Sequence, residues 1–455
     1  MPERDTQTSS RRGFRRRRFL KTSGAGVVAL TAGCLGDDGD DTGDDGSTSD
    51  DTGDDETGDD DGTTTEPDID GPIRIGGLFA MPNDYVGGIA QRTCAQLAID
   101  QINDDGGLLG AEVELIVKDT AIDPSTALDR HRDLVLDEEV DVTTGLFGTE
   151  PALAIMDSIA EHEVVHVASA ATHQDISRKI HEEYDKYKYF FRTLNNSEHL
   201  GVNLAQFAQE NFDDMGWNRI GMVVEDIEGI VPIHNKVMEG LPEGVTVAIE
   251  REYSTETNDF SPIYDALEGE DVDGMFSLMG HTGVPAAIQY NRQQRPFEFG
   301  GLHLLSSDPN FYENTDAVSE YIWTYIGGAT PYSENTDKTQ PMVQAHREAF
   351  DTPPQHAQGY TSYDAVMVWA EAVRQAGTLD ADEVVATLED ISWTGTYGHY
   401  EFYPPDHQYA HDPKYGKEYT IPPIIQWQET DGEGRQEVIW PEEFATAEYQ
   451  HPPWV

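Results

Sequence analysis

The stretch "IGGLFAMPNDYVGGIAQRTCAQLAIDQINDDGGLLG", Ile75 to Gly110, decides the fold. With Ile73 and Arg74 its opening reads "IRIGGLF", a short apolar run bounded by turn residues, which predicts a strand. A polar loop, Met81 to Tyr85, follows. Then Ala90, Cys94, Leu97, Ala98 and Ile102 recur at helical spacing and predict an amphipathic helix with Cys94 as a small core residue. The unit is strand, loop, helix.

Working outward, the same unit repeats. "EVELIVKD" alternates Val113, Leu115 and Val117, and "PSTALDRHRDLVLD" is amphipathic with Pro124 near a helix start. "VDVTTGLF", "EPALAIMDSIAEH" and "VVHVASAA" continue the pattern. It begins again at "RIGMVVED" and runs through "VTVAIEREY", "DGMFSLMG" and "GLHLLSSD". Short apolar strands alternating with helices indicate parallel sheets covered on both faces. Two such series predict an α/β chain of two doubly wound, Rossmann-like lobes, and about 380 residues suffice for two cores. In such folds ligands sit beyond the carboxyl ends of strands.

The stretch "RRRRFLKTSGAGVVALTAGC" is nearly the only basic patch. Arg16-Arg17-Arg18-Phe19-Leu20-Lys21 fits a twin-arginine export pattern, and the uncharged run Thr22 to Gly33 suits a signal peptide rather than a span of roughly 20 apolar residues. Thr31-Ala32-Gly33 precede Cys34 as lipoprotein processing requires, with the usual leucine one place early at Leu30. Residues 1–33 are thus expected to be a leader and Cys34 a lipidation site, placing the chain on the outer face of the cytoplasmic membrane. Residues 34–72 hold Asp-Gly-Thr runs with almost nothing to bury, an expected disordered tether. Residues 69–455 still carry 68 acidic and 21 basic residues, a net charge of −47. That surface repels nucleic acid, and its self-repulsion suits molar salt and a halophilic source.

Enzyme signatures are missing. No GxSxG elbow, Walker loop, GxGxxG fingerprint or CxxC pair occurs, and one body cysteine, Cys94, permits no disulfide framework. His162-Glu163-Val164-Val165-His166 matches HExxH, but its helix is expected to end near His162 and "VVHV" to be strand. In a strand the two histidines would stand about 13 Å apart, too far to share a zinc ion. His131, His199 and His356 are expected on the surface. Neither metal nor cofactor is expected.

At this point the residues resemble a family: the type I periplasmic binding proteins that serve branched-chain amino-acid ABC transporters. The likeness rests on the opening stretch with its ending Ile102-Asn103-Asp104-Asp105-Gly106-Gly107-Leu108-Leu109-Gly110. "HVASAATHQDIS", "YFFRTLNNSEHLG", "DFSPIYDAL" and "GYTSYDAVMVWAEAVRQAG" follow in the family's order. The resemblance implies two lobes joined by three crossovers: 73–195 with 328–394, and 196–327 with 395–430, leaving 431–455 as a C-terminal tail. It implies a small-molecule ligand in the cleft, an amino acid or an amide, and ABC permease subunits as partners. Tyr85 stands where members place an aromatic lid. Ala170-Ala171-Thr172 matches the carboxylate-binding "AAT". Thr149 reads as the N-cap of a helix whose free N–H groups suit a carboxylate. Asp308 falls where an acidic residue takes the ammonium group, or else is a turn aspartate before Pro309. His281 lies at a usual cleft edge, and no aromatic stands near Ile230, which keeps urea, short amides and aromatic acids open as ligands. A sensory binding domain is the competing class.

Overall fold

The computed structural model describes residue 69, residues 71–81 and residues 85–455. The leader, Cys34 and the acidic segment lie outside the described residues, as do Pro82, Asn83 and Asp84.

The first series of elements is β1 (Ile73–Phe79), α1 (Val86–Asp104), β2 (Val113–Asp119), α2 (Pro124–Arg132), β3 (Val142–Phe147), α3 (Thr149–His162), β4 (Val165–Ala170), α4 (Gln174–Glu182), α5 (Tyr184–Tyr187) and β5 (Phe190–Arg192). Its strands form one sheet, β2-β1-β3-β4-β5, parallel throughout. The ending of the opening stretch has a specific job. Asn103 donates to Val113 O (2.9 Å) and accepts from Val113 N (2.8 Å), closing α1 onto β2. Gly107 takes φ +88° there, and a Cβ would fall 2.1 Å from Ala111 O, so only glycine fits.

The second series is α6 (Ser197–Met215), β6 (Arg219–Glu225), α7 (Val231–Gly240), β7 (Thr246–Tyr253), α8 (Ser261–Gly269), β8 (Gly274–Met279), α9 (Val284–Gln293), β9 (Glu298–His303), α10 (Phe311–Asn314) and β10 (Trp323–Tyr325). The chain then returns to the first lobe as α11 (Thr339–Phe350), α12 (Gln358–Ala376) and α13 (Ala381–Glu389), with the small pair β11 (Trp393–Thr394) and β12 (His399–Tyr400). It ends in the second lobe as β13 (Ile424–Thr430) and β14 (Glu433–Trp440). The second sheet runs β14-β13-β10-β9-β8-β6-β7, parallel except for β13, which is antiparallel to both of its neighbours, β10 and β14. Cys94 is buried where α1 meets α12; Gly359 approaches so closely that a Cβ would lie 2.7 Å from its sulfur. Burial pushes the thiol up, which suits a packing role.

Two expected boundaries are corrected. The segment after Thr394 is expected in the second lobe, yet Tyr397, Tyr400, Phe402 and Ala410 belong to the core of the first; the chain rejoins the second-lobe core at Ile421. Residues 431–455 are not a tail, because Glu433–Trp440 pairs along β13 as the edge strand of the second sheet.

Buried polar groups explain the first correction. Asp412 pairs with the Nε of Arg192, both 1% exposed. It also accepts from Ser177 Oγ (2.6 Å) and Asn196 Nδ2 (2.7 Å), while Arg192 Nη1 reaches Ala171 O (2.9 Å) and His173 O (3.1 Å). Asp364 on α12 likewise accepts from Thr396 N (2.7 Å), Thr396 Oγ1 (2.9 Å), Tyr397 N (2.9 Å) and Tyr400 Oη (3.0 Å). Tyr397 Oη donates to Asn195 (2.6 Å), and Asn195 donates to Thr420 (2.9 Å). Asn335 donates to Gly328 O and Tyr397 O, both at 3.2 Å. All three crossovers are thereby bonded together.

Removing one member of the buried pair should expose its cost. Arg192→Met leaves Asp412 uncompensated and is expected to cost about 3–5 kcal/mol in urea unfolding, with Asp412→Leu added to it recovering most of the loss. Burial pushes the Asp364 carboxyl from 3.8 to about 6, against the pull of its hydrogen bonds. The folded state therefore holds this proton more tightly than the unfolded chain. The resulting stabilisation is complete below about pH 4 and is lost as pH rises through about 6, a change of about 3 kcal/mol. In thermal melts against pH, Asp364→Asn is expected to flatten that part of the profile.

Candidate functional site

Where the carboxyl ends of both sheets face each other, nine residues line a cavity of about 340 Å³. Tyr85, Val86, Phe147 and His356 come from the first lobe; Gly280, His281, Leu304, Leu305 and Asp308 come from the second. The volume falls within the roughly 300–1,000 Å³ of small-molecule sites, and the wall is largely apolar with few polar groups, as such sites are.

Tyr85 is placed by the glycines after it. Gly88 brings the first turn of α1 so near the end of β1 that a Cβ would lie 1.8 Å from Ala80 O. The Tyr85 ring then sits 5.3 Å from Phe147 and 6.4 Å from His356, tilted to both. Burial, and next the charge of Asp308, push its phenol up to about 12. His356 accepts the Gln358 N–H on Nδ1 (3.2 Å), so the neutral ring carries its proton on Nε2. Burial pulls this histidine down to about 4, although the Asp308 charge opposes it. A carboxylate of one lobe thus acts on two rings of the other.

Asp308 follows β9 across a short helical turn, Leu304–Ser307. Its Oδ1 accepts from Asn310 N (2.8 Å) and Asn310 Nδ2 (3.1 Å), so it shapes its turn as well as facing the cleft. Among the described residues no ion pair includes it. His281 is exposed on the loop after β8, and that loop is fixed by Glu225. The buried Glu225 carboxylate accepts from Gly280 N (2.6 Å), His281 N (2.8 Å), Thr282 N (3.4 Å) and Thr282 Oγ1 (2.9 Å).

Of the expected ligand residues, Tyr85, His281 and Asp308 stand on the cavity wall; Thr149, Ala170, Ala171 and Thr172 do not. Thr149 is also not the cap. Gly148 is, at φ +93°, because the chain must turn sharply off β3 and only then coil, so Thr149 is the first helical residue. Ala171 O takes the Arg192 guanidinium and Thr172 O takes Ser197 N (2.7 Å) and Oγ (3.0 Å), fastening the β4 end to the first crossover. The three histidines expected on the surface are buried: His131, bonded to Ser158 (3.0 Å); His199, stacked between Tyr403 and Tyr415; and His356 on the cleft. Sequence reasoning also missed Phe147, Leu304, Leu305 and Glu225. An acidic residue at the carboxyl end of a predicted strand was the available signal for Glu225. His356 had only its position, between Pro354 and a recognised helix.

The HExxH match is split as its sequence suggested. α3 ends at His162, Glu163 takes φ +53°, and His166 lies buried in β4 against Thr143 Oγ1 (2.8 Å). Among the described residues no three histidine, cysteine or carboxylate groups gather for a metal.

Two α/β lobes joined by three crossovers, with a mostly apolar cleft between them, have the architecture of a two-lobed solute-binding protein. The model of the periplasmic binding protein family matches residues 72–415, and the chain belongs to that family, whose members bind solutes and are not enzymes. A leucine-, isoleucine-, valine-, threonine- and alanine-binding protein of Pseudomonas aeruginosa is 23% identical over 304 residues, 66% of this chain and 77% of its own. The chemotactic signal transduction system substrate-binding protein BasB of Halobacterium salinarum is 24% identical over 333 residues, 72% of this chain and 76% of its own. A solved ABC-transporter solute-binding protein from R. palustris, in complex with 4-hydroxybenzoate, matches with a TM-score of 0.66 at 16% identity, over 81% of this chain and 96% of that one.

Glu225→Ala is expected to orphan the buried Gly280 N–H, worth about 1–3 kcal/mol when left unsatisfied, and to release the His281 and Thr282 N–H groups. Hydrogen exchange at residues 280–282 should accelerate while β6 keeps its protection.

Proposed function

We propose that this chain is the extracytoplasmic substrate-binding component of an ABC importer for a small amino acid with an apolar side chain. In this reading it leaves the cell by the twin-arginine route, is anchored by lipid at Cys34, and works in high salt. The observation that carries the ligand class is Asp308, a carboxylate with no ion pair among the described residues, which stands on one lobe and acts across the cleft on Tyr85 and His356 of the other. An ammonium group placed there gains a charge-assisted bond, and an apolar side chain lies against Phe147, Leu304 and Leu305. The names of the relatives supply the amino-acid class. Because the ligand touches both lobes only when they are closed, binding shifts the population toward the closed form, which the permease would recognise.

The likeness to BasB favours a second reading, in which the same capture is reported to a chemotactic transducer instead of a permease. Uptake and taxis separate the two: a deletion strain that loses uptake of the ligand but keeps taxis toward it supports the importer.

Thermal unfolding in molar salt against a panel of amino acids is the direct test. A ligand at 100 times its dissociation constant is expected to add about 2.7 kcal/mol. Asp308→Ala should weaken that ligand about 10- to 100-fold, and a panel without any shift would remove the amino-acid reading.

A further inference from the structure

A second cavity, of about 120 Å³, shares no lining residue with the cleft. Its wall comes from the places where the chain passes between the lobes. Asn335 stands on the return to the first lobe, Tyr397 belongs to the first-lobe core, and Lys417 and Glu418 lead to Ile421, where the second-lobe core resumes. The chemistry of this wall is paired. Lys417 and Glu418 sit at the tip of a turn closed by Tyr419 N on Gly416 O (2.9 Å), and both line the cavity. Lys417 Nζ is held by Glu210 (3.2 Å) and Glu443 (3.4 Å), solvent-facing pairs of little worth, so an incoming carboxylate can compete for its hydrogens. Glu418 is exposed and has no ion pair among the described residues. Asn335 donates to Gly328 O and Tyr397 O (both 3.2 Å), which leaves its Oδ1 buried with no donor among the described residues. One cation, one carboxylate and one amide oxygen thus surround a space equal to about four waters of roughly 30 Å³ each. A lone anion meets Glu418 there, and a lone cation meets Lys417. A molecule carrying both charges a short distance apart satisfies both, and its ammonium is the donor that an amide oxygen requires.

We propose that this cavity at the crossovers is a second ligand site, for a zwitterion as compact as glycine. It is independent of what the cleft holds and of the receptor reading above. Because its wall takes residues from both lobes, a solute bound there braces them against each other without touching the cleft.

Calorimetric titration and hydrogen exchange of the full chain, in molar sodium chloride at neutral pH, test this with glycine as the probe. Acetate and methylammonium serve as its single-charge halves. Glycine at millimolar concentration is expected to give heat and to slow exchange at residues 395–399 and 417–421. Either half is expected to bind at least about tenfold more weakly, the scale of one lost charge-assisted contact. Lys417→Gln and Glu418→Gln, both on an exposed turn, should each weaken glycine about tenfold or more and remove that protection. Protection confined to the cleft, at residues 280–282 and 356–358, overturns the proposal and leaves the receptor reading standing. Protection at the crossovers that survives in both variants overturns it too, as does acetate or methylammonium binding as tightly as glycine. Neither heat nor protection with glycine overturns it outright, whatever the cleft binds.

Discussion

The Arg192–Asp412 pair is the constraint on which the rest depends. It joins the end of β5, the start of α4, the first crossover through Asn196 and the returning segment that carries Asp412. Burying two charges is unfavourable unless nearly every lone pair and proton finds a partner. Here Ser177, Asn196, Ala171 and His173 supply those partners. A one-residue slip of any of these passes would strand a charge in the core. The pair thereby fixes where the β4 loop ends and where the second lobe begins, which sets the distance between the two walls of the cleft.

From that fixed join the cleft follows as a problem of two surfaces. The first lobe presents rings that burial keeps neutral, Tyr85 with its phenol raised and His356 with its imidazole lowered. The second presents one carboxylate on a loop framework braced by Glu225. Neither surface alone encloses a solute. Together they bound a volume suited to one small molecule, and a ligand that touches both walls gains contacts that neither wall alone supplies.

Local patterning made most elements legible. Val113, Leu115 and Val117 alternate because β2 is a strand with distinct faces, and the Cys94 spacing marks the stripe that α12 covers. Tyr85, His281 and Asp308 are what the family resemblance implies, on the loops that follow β1, β8 and β9. What failed needed information from elsewhere in the chain. His356 reaches the cleft only because the second crossover delivers its loop there. Residues 396–412 join the first lobe because Asp364 and Arg192, distant in sequence, bond to that segment. β14 reads as a tail because an edge strand carries a weaker apolar signal than a central one. Thr149 was misread by one position because a positive φ at Gly148, not the threonine hydroxyl, begins the helix.

The acidic composition bears on the site by what it cannot do. With a formal charge of −57, the chain attracts any cation at low salt, specific or not. In the molar salt proposed for its surroundings the screening length falls to about 3 Å, and the surface charges no longer act across the solvent. Asp308 differs from the other acidic residues in position rather than in chemistry. It faces a cleft walled by apolar and aromatic groups and is half-buried there. For the proposed amino-acid ligand, the ammonium contact would therefore depend on where this one carboxylate stands, not on the abundance of negative charge.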